Sequence, residues 1–352
     1  MRIDSVTVHP YTLPLVEPVV WGGVSHAERR GALVRVETTA GEVGWGDAAP
    51  LPGFSVETLD ESVAALEAAA SALTGTEIAP AEAFRPDSLL HARLDAAGLP
   101  SSARFGVDLA LAEAAAQHGG RTLPQALAGD PAVVLPLAGL VLDGSLAEAV
   151  RLAEAGYRTL KLKVGRASVD ADAALVQAVR DAVGENVALR LDANRAWSPD
   201  DARRFAEAIS GIDIEFIEEP LADASGLPEL WLDTALPIAL DETLQQRGGA
   251  DALRGWAAAA VIKPTLVGGL AAALRLAAQA EAVGVKTVIS AAFESGIGLR
   301  GLVALAAATG ARAAGLDTAR WLARDVLAAP LPLGRPLVDV PGLLGRPVEV
   351  VL

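Results

Sequence analysis

Residues 187–220 read VALRLDANRAWSPDDARRFAEAISGIDIEFIEEP. A short apolar run closes on Asp192, an amphipathic stretch follows, and a second apolar run closes on Glu218-Glu219-Pro220. The unit recurs on both sides. Val/Ile/Leu-rich runs end near Leu142, Lys163, Asp192, Glu218, Asp241, Lys263, Ser290 and Leu316, at intervals, by subtraction, of 21, 29, 26, 23, 22, 27 and 26 residues. Eight apolar strands with alanine-rich helices between them predict an α/β fold, a TIM-like parallel (β/α) barrel. A doubly wound sheet is the competitor, and it rarely keeps so regular a period over eight units.

Outside the repeat the texture differs. Ser5–Leu13, Ala32–Thr39 and Glu42–Asp47 alternate as strands, the last two forming a hairpin about the turn Thr38–Gly41. Val19–Arg30, with Trp21-Gly22-Gly23, and Pro50–Ser55 read as irregular loops. Helical patterns follow at Glu57–Leu73, Pro86–Ala97 and Ala103–His118. The Pro/Gly-rich tail from Pro330 to Leu352 turns away from the barrel, which suits (β/α)7β. The expected division is an α+β capping domain at 1–100, a catalytic barrel at 101–325 and a segment at 326–352 returning to the cap.

Composition narrows the class of function. The 352 residues carry 29 basic and 44 acidic side chains, a net charge of −15, which argues against a nucleic-acid partner. No apolar stretch favours a bilayer span and the N-terminus lacks a signal-peptide core, so a cytoplasmic protein without membrane attachment is expected. The absence of cysteine excludes disulfides, thiolate metal sites and cysteine nucleophiles. Only Lys161, Lys163, Lys263 and Lys286 are lysines; the other 25 of the 29 basic residues are arginines. A lysine can give up its proton when desolvated and an arginine effectively cannot.

Barrel active sites lie where strands end at the C-terminal face. Here consecutive strands end in Lys161-Leu162-Lys163, Asp192, Glu218, Asp241 and Lys263. An isolated strand-end Asp is more often a helix cap or an ion-pair partner. Structural ion pairs, however, have no need of the order Lys, Asp, Glu, Asp, Lys over five strands. Three carboxylates converging in an apolar barrel call for a cation, and oxygen ligands without His or Cys suit Mg²⁺. Lys161 and Lys163, two apart, project the same way, with Lys263 across the mouth. Mutual repulsion and the metal are expected to lower the lysine pKa values, as a general base requires.

The runs Lys161-Leu-Lys163, Leu191-Asp192-Ala-Asn194-Arg-Ala-Trp197, Ile217-Glu218-Glu219-Pro220, Leu240-Asp241-Glu242-Thr243 and Ile262-Lys263-Pro264-Thr265 resemble the muconate-lactonising-type branch of the enolase superfamily. The resemblance covers nearly the whole chain. It implies Mg²⁺ (or Mn²⁺ in its place) on Asp192, Glu218 and Asp241, with Asn194 and Glu219 supporting the ligands. It also implies proton abstraction α to a carboxylate. None of His9, His26, His91 and His118 lies at a strand end, which disfavours the mandelate-racemase-type branch and leaves lysine as the base.

Within that branch, Gly44–Ser55, Lys263–Gly269, Phe293-Glu294-Ser295-Gly296 and Gly315-Leu316-Asp317-Thr318 are similar to the o-succinylbenzoate synthase family. The implied reaction dehydrates 2-succinyl-6-hydroxy-2,4-cyclohexadiene-1-carboxylate, with Lys163 as base and then acid. Lys263 would stabilise the enolate and Lys161 would orient the carboxylate or tune Lys163. Ser290, Gly315, Ser295 and Arg190 are the candidate contacts of a small carboxylate substrate, and Trp21–Arg30 the candidate lid, offering Arg29 or Arg30. Three alternatives stay open: N-acylamino-acid racemisation with Lys163 and Lys263 as two-face bases, a Schiff-base aldolase through Lys263, and a non-catalytic barrel. Oligomeric state, a homo-oligomer included, is open as well.

Overall fold

The three cap strands pair antiparallel in chain order: β1 (Ile3–Trp21), β2 (Val24–Thr38) and β3 (Val43–Ala48). The computed structural model describes all 352 residues except Gly22, Asp143, Arg247, Gly248, Ala311 and Leu352. Pairing of β1 with β2 runs from Ile3–Thr38 to Trp21–Val24, with a register shift between Pro14 and Val19. The stretch Val19–Arg30 is therefore largely a paired hairpin end and not the irregular loop expected; Gly22 lies outside the described residues. The glycine pair suggests a loop, but ladder hydrogen bonds are made by the backbone and continue up to Trp21 and from Val24.

Gly44 and Gly46 let β3 lie directly on the helix Ser101–His118, where a Cβ would collide with the carbonyls of Ala110 and Gly106. That helix is buried on nearly every side. Its Ala103, Val107, Ala110 and Ala114 join the cap core with Ile3, Val34, Val36 and Leu66. Its Phe105, Leu109 and Ala112 join the barrel core.

After β4 (Val134–Pro136) comes the ring: β5 (Gly139–Val141), β6 (Thr159–Lys163), β7 (Ala188–Asp192), β8 (Phe216–Glu218), β9 (Ile238–Leu240), β10 (Ala259–Ile262) and β11 (Lys286–Ile289), parallel and in chain order. Parallel bridges Leu137–Ala314 and Ser290–Gly315 join the two ends, so the eighth position is the short segment Ala314–Gly315. A 3-10 turn, Asp317–Trp321, follows it in place of an eighth helix. The fold is a (β/α)7β barrel with an antiparallel cap. In the tail, β12 (Leu337–Asp339) pairs with β4, while Val348 and Val350 pack beside Tyr11, Leu13 and Leu33 of the cap.

Strand alternation decides what faces the barrel axis. Leu160, Leu162, Leu189, Leu191, Ile217, Leu240 and Ile262 sit in the core between strands and helices. The intervening residues point inward, and Phe216, Ala239, Ala259, Val261 and Val288 fill the floor. Lys161, Lys163, Asp192 and Glu218 share that inward phase near the strand ends. Asp241 and Lys263 follow one residue past β9 and β10. Two of the helices between start on side-chain caps, where Ser168 and Ser198 each accept the backbone N–H three residues on.

Candidate active site at the barrel mouth

The inward residues meet in one charged cluster. Lys161 Nζ lies 2.6 Å from Glu218 Oε2 and 2.8 Å from Asp192 Oδ2. Lys163 Nζ donates to the same Asp192 oxygen at 2.6 Å and to Asn194 Oδ1 at 2.6 Å. Lys263 Nζ donates to Asp241 Oδ2 at 2.5 Å and lies 5.9 Å from the ring centre of Phe54, on the second cap loop. Positions β6 and β10 are four apart in an eight-membered ring, so Lys163 and Lys263 approach the mouth from opposite sides.

The electrostatics separate the three lysines. Burial pulls the Lys163 ammonium below its ordinary value; Asp192 opposes this and the Lys161 ammonium adds to the fall. Burial acts on Lys161 as well, but Asp192, Glu218 and Asp241 outweigh it and Lys161 stands raised. At Lys263 burial is likewise outweighed, chiefly by Asp241. Of the three, Lys163 alone is lowered by the protein's own groups. Lys161 meets two carboxylates and Lys263 has Asp241 to itself, whereas Lys163 shares Asp192 with another cation.

The carboxylates differ for the same reason. Burial alone would raise Asp192, yet the Lys161 and Lys163 ammonium groups hold it well below the usual range. Glu218 is pushed up to about 7 by burial, with Lys161 opposing and Asp192 and Asp241 adding to the rise. Glu242, beside Asp241, is also raised to about 7, by burial and then by the Asp241 charge. Four carboxylates thus face three ammonium groups, and the cluster is short of positive charge.

That shortage is the test of fit for a divalent cation. Among the described residues no three carboxylates close into a metal cage as arranged, and lysine ammonium groups hold one oxygen each of Asp192, Glu218 and Asp241. The Lys161 ammonium bridges two of them, where positive charge is wanted. The donors are hard oxygens in an undercompensated cluster, and they fit Mg²⁺.

A second layer fixes the strand ends. Glu219 Oε1 accepts the backbone N–H of Asp241 at 2.9 Å and of Thr243 at 2.8 Å; its Oε2 accepts Thr243 Oγ1 at 2.9 Å and Arg195 Nε at 3.1 Å. Asn194 N donates to Asp192 Oδ1 at 3.1 Å, and Asn194 Nδ2 to Glu242 Oε1 at 3.1 Å. Asn194, Arg195, Glu219 and Phe293 hold φ of 44°, 60°, 40° and 60°, left-handed backbone that non-glycine residues seldom adopt, and all four flank strand ends at the mouth.

Some expected contacts lie elsewhere. Arg190 is inward-facing but one layer down: its Nε donates to Glu215 at 2.7 Å, its Nη1 to the Ala313 carbonyl at 2.6 Å, and it stacks on Phe216. Those partners precede their strands, so Arg190 serves the floor and not the substrate end. Ser295 is fully buried and gives both N–H and Oγ to Asp47 of β3, each at 2.8 Å, which leaves it no part at the mouth. Arg29 is buried too, tying the cap loop at the Pro50 carbonyl (2.7 Å) to the barrel carbonyl of Phe293 (3.0 Å), so it does not await a substrate; Arg30 is exposed. Ser290 Oγ does face inward, 3.3 Å from the Gly315 carbonyl, filling the space a Cβ at Gly315 would need. A cavity of about 590 Å³ lies outside the ring beside Arg195 and Trp256. The chemistry is assigned to the mouth because the charges converge there.

Residues 145–350 match the family described as enolase C-terminal domain-like, and residues 3–114 match the MenC N-terminal domain. The chain belongs to the enolase superfamily. Within it the protein is an enzyme of the hydro-lyase type. It is 34% identical over 338 residues to o-succinylbenzoate synthase of Yersinia pseudotuberculosis serotype I (strain IP32953), covering 94% of this chain and 96% of that protein. Solved superfamily structures agree in fold. The dipeptide epimerase from Enterococcus faecalis V583 complexed with Mg and the dipeptide L-Leu-L-Tyr superposes with TM-score 0.86 and 27% identity over 97% of both chains. The muconate lactonizing enzyme from Pseudomonas fluorescens complexed with muconolactone gives TM-score 0.86 and 25% identity over 99% and 96%.

Several features of this enolase-superfamily site escaped sequence reasoning. Glu242 sits in the Asp241-Glu242-Thr243 run, and only its neighbour drew attention. Asp47 lies in a strand-like stretch, where nothing signals a link to residue 295. Phe54 belongs to the Pro50–Ser55 loop, whose approach to Lys263 depends on how the cap docks. The roof it joins, with Trp21, Leu51, Leu266 and Phe293, is apolar.

Proposed function

We propose that the enzyme dehydrates 2-succinyl-6-hydroxy-2,4-cyclohexadiene-1-carboxylate to o-succinylbenzoate, a step of menaquinone synthesis. The observation carrying this reading is the unequal pairing of the two opposed lysines: Lys263 Nζ is bound to Asp241 Oδ2 at 2.5 Å, while Lys163 Nζ sits between Asp192 and Asn194 on the other side of the mouth. The 34%-identical relative supports the same substrate. Lys163 Nζ takes the ring proton α to the carboxylate and the electron pair moves into an enolate. Expulsion of the β-hydroxyl, protonated by the same Lys163 on the same face, releases water and leaves the ring aromatic. Lys263 stabilises the developing negative charge, and Lys161 orients the carboxylate, with Ser290 and Gly315 beside it. Asp192, Glu218 and Asp241 would hold Mg²⁺, or Mn²⁺ in its place, which would supply positive charge for the substrate carboxylate.

In this reading the partner is a small carboxylate in the cytoplasm, with neither nucleic acid nor membrane involved, and residues 1–100 and 326–352 cap a catalytic barrel at 101–325. Homo-oligomerisation is compatible with it. The test is an ultraviolet assay on freshly generated cyclohexadiene substrate with Mg²⁺ and with EDTA. Fast aromatisation that needs the metal supports the reading, and no aromatisation with Mg²⁺ present ends it.

The second reading, N-acylamino-acid racemisation, is favoured by the opposed placement of Lys163 and Lys263. It asks both to serve as bases, and the pairing of Lys263 Nζ with Asp241 Oδ2 weighs against it. Hydrogen exchange of N-succinylamino acids in D₂O without any dehydration would put it first. A Schiff base through Lys263 needs a free amine and fits the Asp241 pairing poorly.

A further inference from the structure

We propose that Glu242 is a positioning residue: through Asn194 it aims the lone pair of Lys163 at the substrate. The inference rests on Lys163 being the base, and it concerns a side chain that this role does not otherwise require.

Glu242 Oε1 accepts Asn194 Nδ2 at 3.1 Å, and Asn194 Oδ1 accepts Lys163 Nζ at 2.6 Å. Among the described residues Asn194 is the sole hydrogen-bond partner of the Glu242 carboxylate, whose Oε2 is buried with no partner at all. Asn194 is exposed, so packing does not decide which way its amide faces. Glu242 does. Its Oε1 takes the amide nitrogen, which leaves the amide oxygen turned to Lys163. With the amide reversed, an N–H₂ group would meet the lysine's own N–H groups, donor against donor.

The consequence is stereochemical. A neutral lysine has two N–H bonds and one lone pair at tetrahedral nitrogen. With one N–H donated to Asp192 Oδ2 and the other to Asn194 Oδ1, the lone pair must occupy the remaining direction. Asn194 is the one of these two acceptors that is not a proposed metal ligand, so its orientation matters most once Asp192 is otherwise engaged.

The test compares Glu242→Gln, Glu242→Leu, Asn194→Ala and the double variant Asn194→Ala/Glu242→Leu in the full chain with Mg²⁺. Glutamine keeps the shape but can present its N–H₂ to Asn194. Both Glu242 variants are expected to lose about 10- to 100-fold in kcat, with KM changed less than about twofold. Calorimetric Mg²⁺ affinity and the thermal midpoint should hold, and the double variant should be no slower than Asn194→Ala alone. Unchanged kcat in Glu242→Leu, a fall in Mg²⁺ affinity that accounts for the loss, or multiplicative losses in the double variant would each overturn the proposal. Every variant is assayed by dehydration and by hydrogen exchange of N-succinylamino acids in D₂O. Wild-type exchange without dehydration removes the proposed substrate and leaves the relay to be judged on exchange rates; a wild type silent in both overturns the relay with the base.

Discussion

Asp47 of the cap accepts two hydrogen bonds from Ser295 of the barrel, N–H and Oγ each at 2.8 Å, although 248 residues separate them. Tyr11 donates to the other carboxylate oxygen at 2.9 Å. Ser295 also stands at the start of the helix Gly296–Ala308, so one buried carboxylate fastens cap strand to barrel helix. Asp47→Ala would strand the Tyr11 hydroxyl and both Ser295 donors, at about 1–3 kcal/mol each if they stay unsatisfied. The urea midpoint is expected to fall by the equivalent of roughly 3 kcal/mol or more, and a midpoint equal to wild type would refute the fastening role.

Lys163→Ala is expected to lose turnover by a factor on the order of 10³ or more, the scale of a missing general base. Mg²⁺ binding should persist in it. Lys163→Arg should be nearly as slow, since a guanidinium keeps its proton. Stopped-flow absorbance gives the rates and calorimetry the metal affinity; near-normal rates in Lys163→Ala would remove it as the base.

Glu219→Ala removes the acceptor that holds the backbone at Asp241 and Thr243. Support of this kind is commonly worth 10- to 100-fold in metal affinity, and a fall of about that size is expected here. An unchanged Mg²⁺ isotherm would mean that the β9 end holds its shape unaided.

Asp317 sets a pH dependence. Burial raises its carboxyl to about 6, against the pull of Arg320 and the Leu140 amide. In the unfolded chain it titrates near the ordinary aspartate value of about 3.9. Between those values the folded state binds the extra proton, so stability falls as pH rises from about 4 to about 6 and then levels, a change on the order of 3 kcal/mol from this group. Asp317→Asn should flatten that part of the curve. Denaturant midpoints at pH 4, 5, 6 and 7 compare the two proteins, and parallel curves would assign the slope to other groups.

The barrel and its charged ends were legible because both depend on short-range rules. A period of two fixes which side of a strand faces inward, so Lys161, Lys163, Asp192 and Glu218 could be gathered from spacing alone. What failed was depth and docking. Arg190 shares the inward phase of Asp192, but its long side chain runs to Glu215 at the floor, and spacing says nothing of that direction. Ser295 and Arg29 look available in the sequence because their partners, Asp47 and the carbonyls of Pro50 and Phe293, are distant along the chain. Val19–Arg30 reads as a loop from its Trp21-Gly22-Gly23 run, which cannot report a ladder made by backbone groups. The unequal lysines required knowing that Lys161 meets two carboxylates while Lys163 shares one.

The helix Ser101–His118 lends one side to the cap core and another to the barrel core, with β3 laid against its backbone at Gly44 and Gly46. Such a shared beam couples the melting of both halves, so unfolding should proceed as one transition and not two. It also limits modularity. A cap grafted from another barrel must either bring its own version of this helix, mismatched to the barrel below, or accept this one, mismatched to the cap above. Variation in substrate preference is therefore easier to reach by changing side chains at the mouth than by exchanging whole caps.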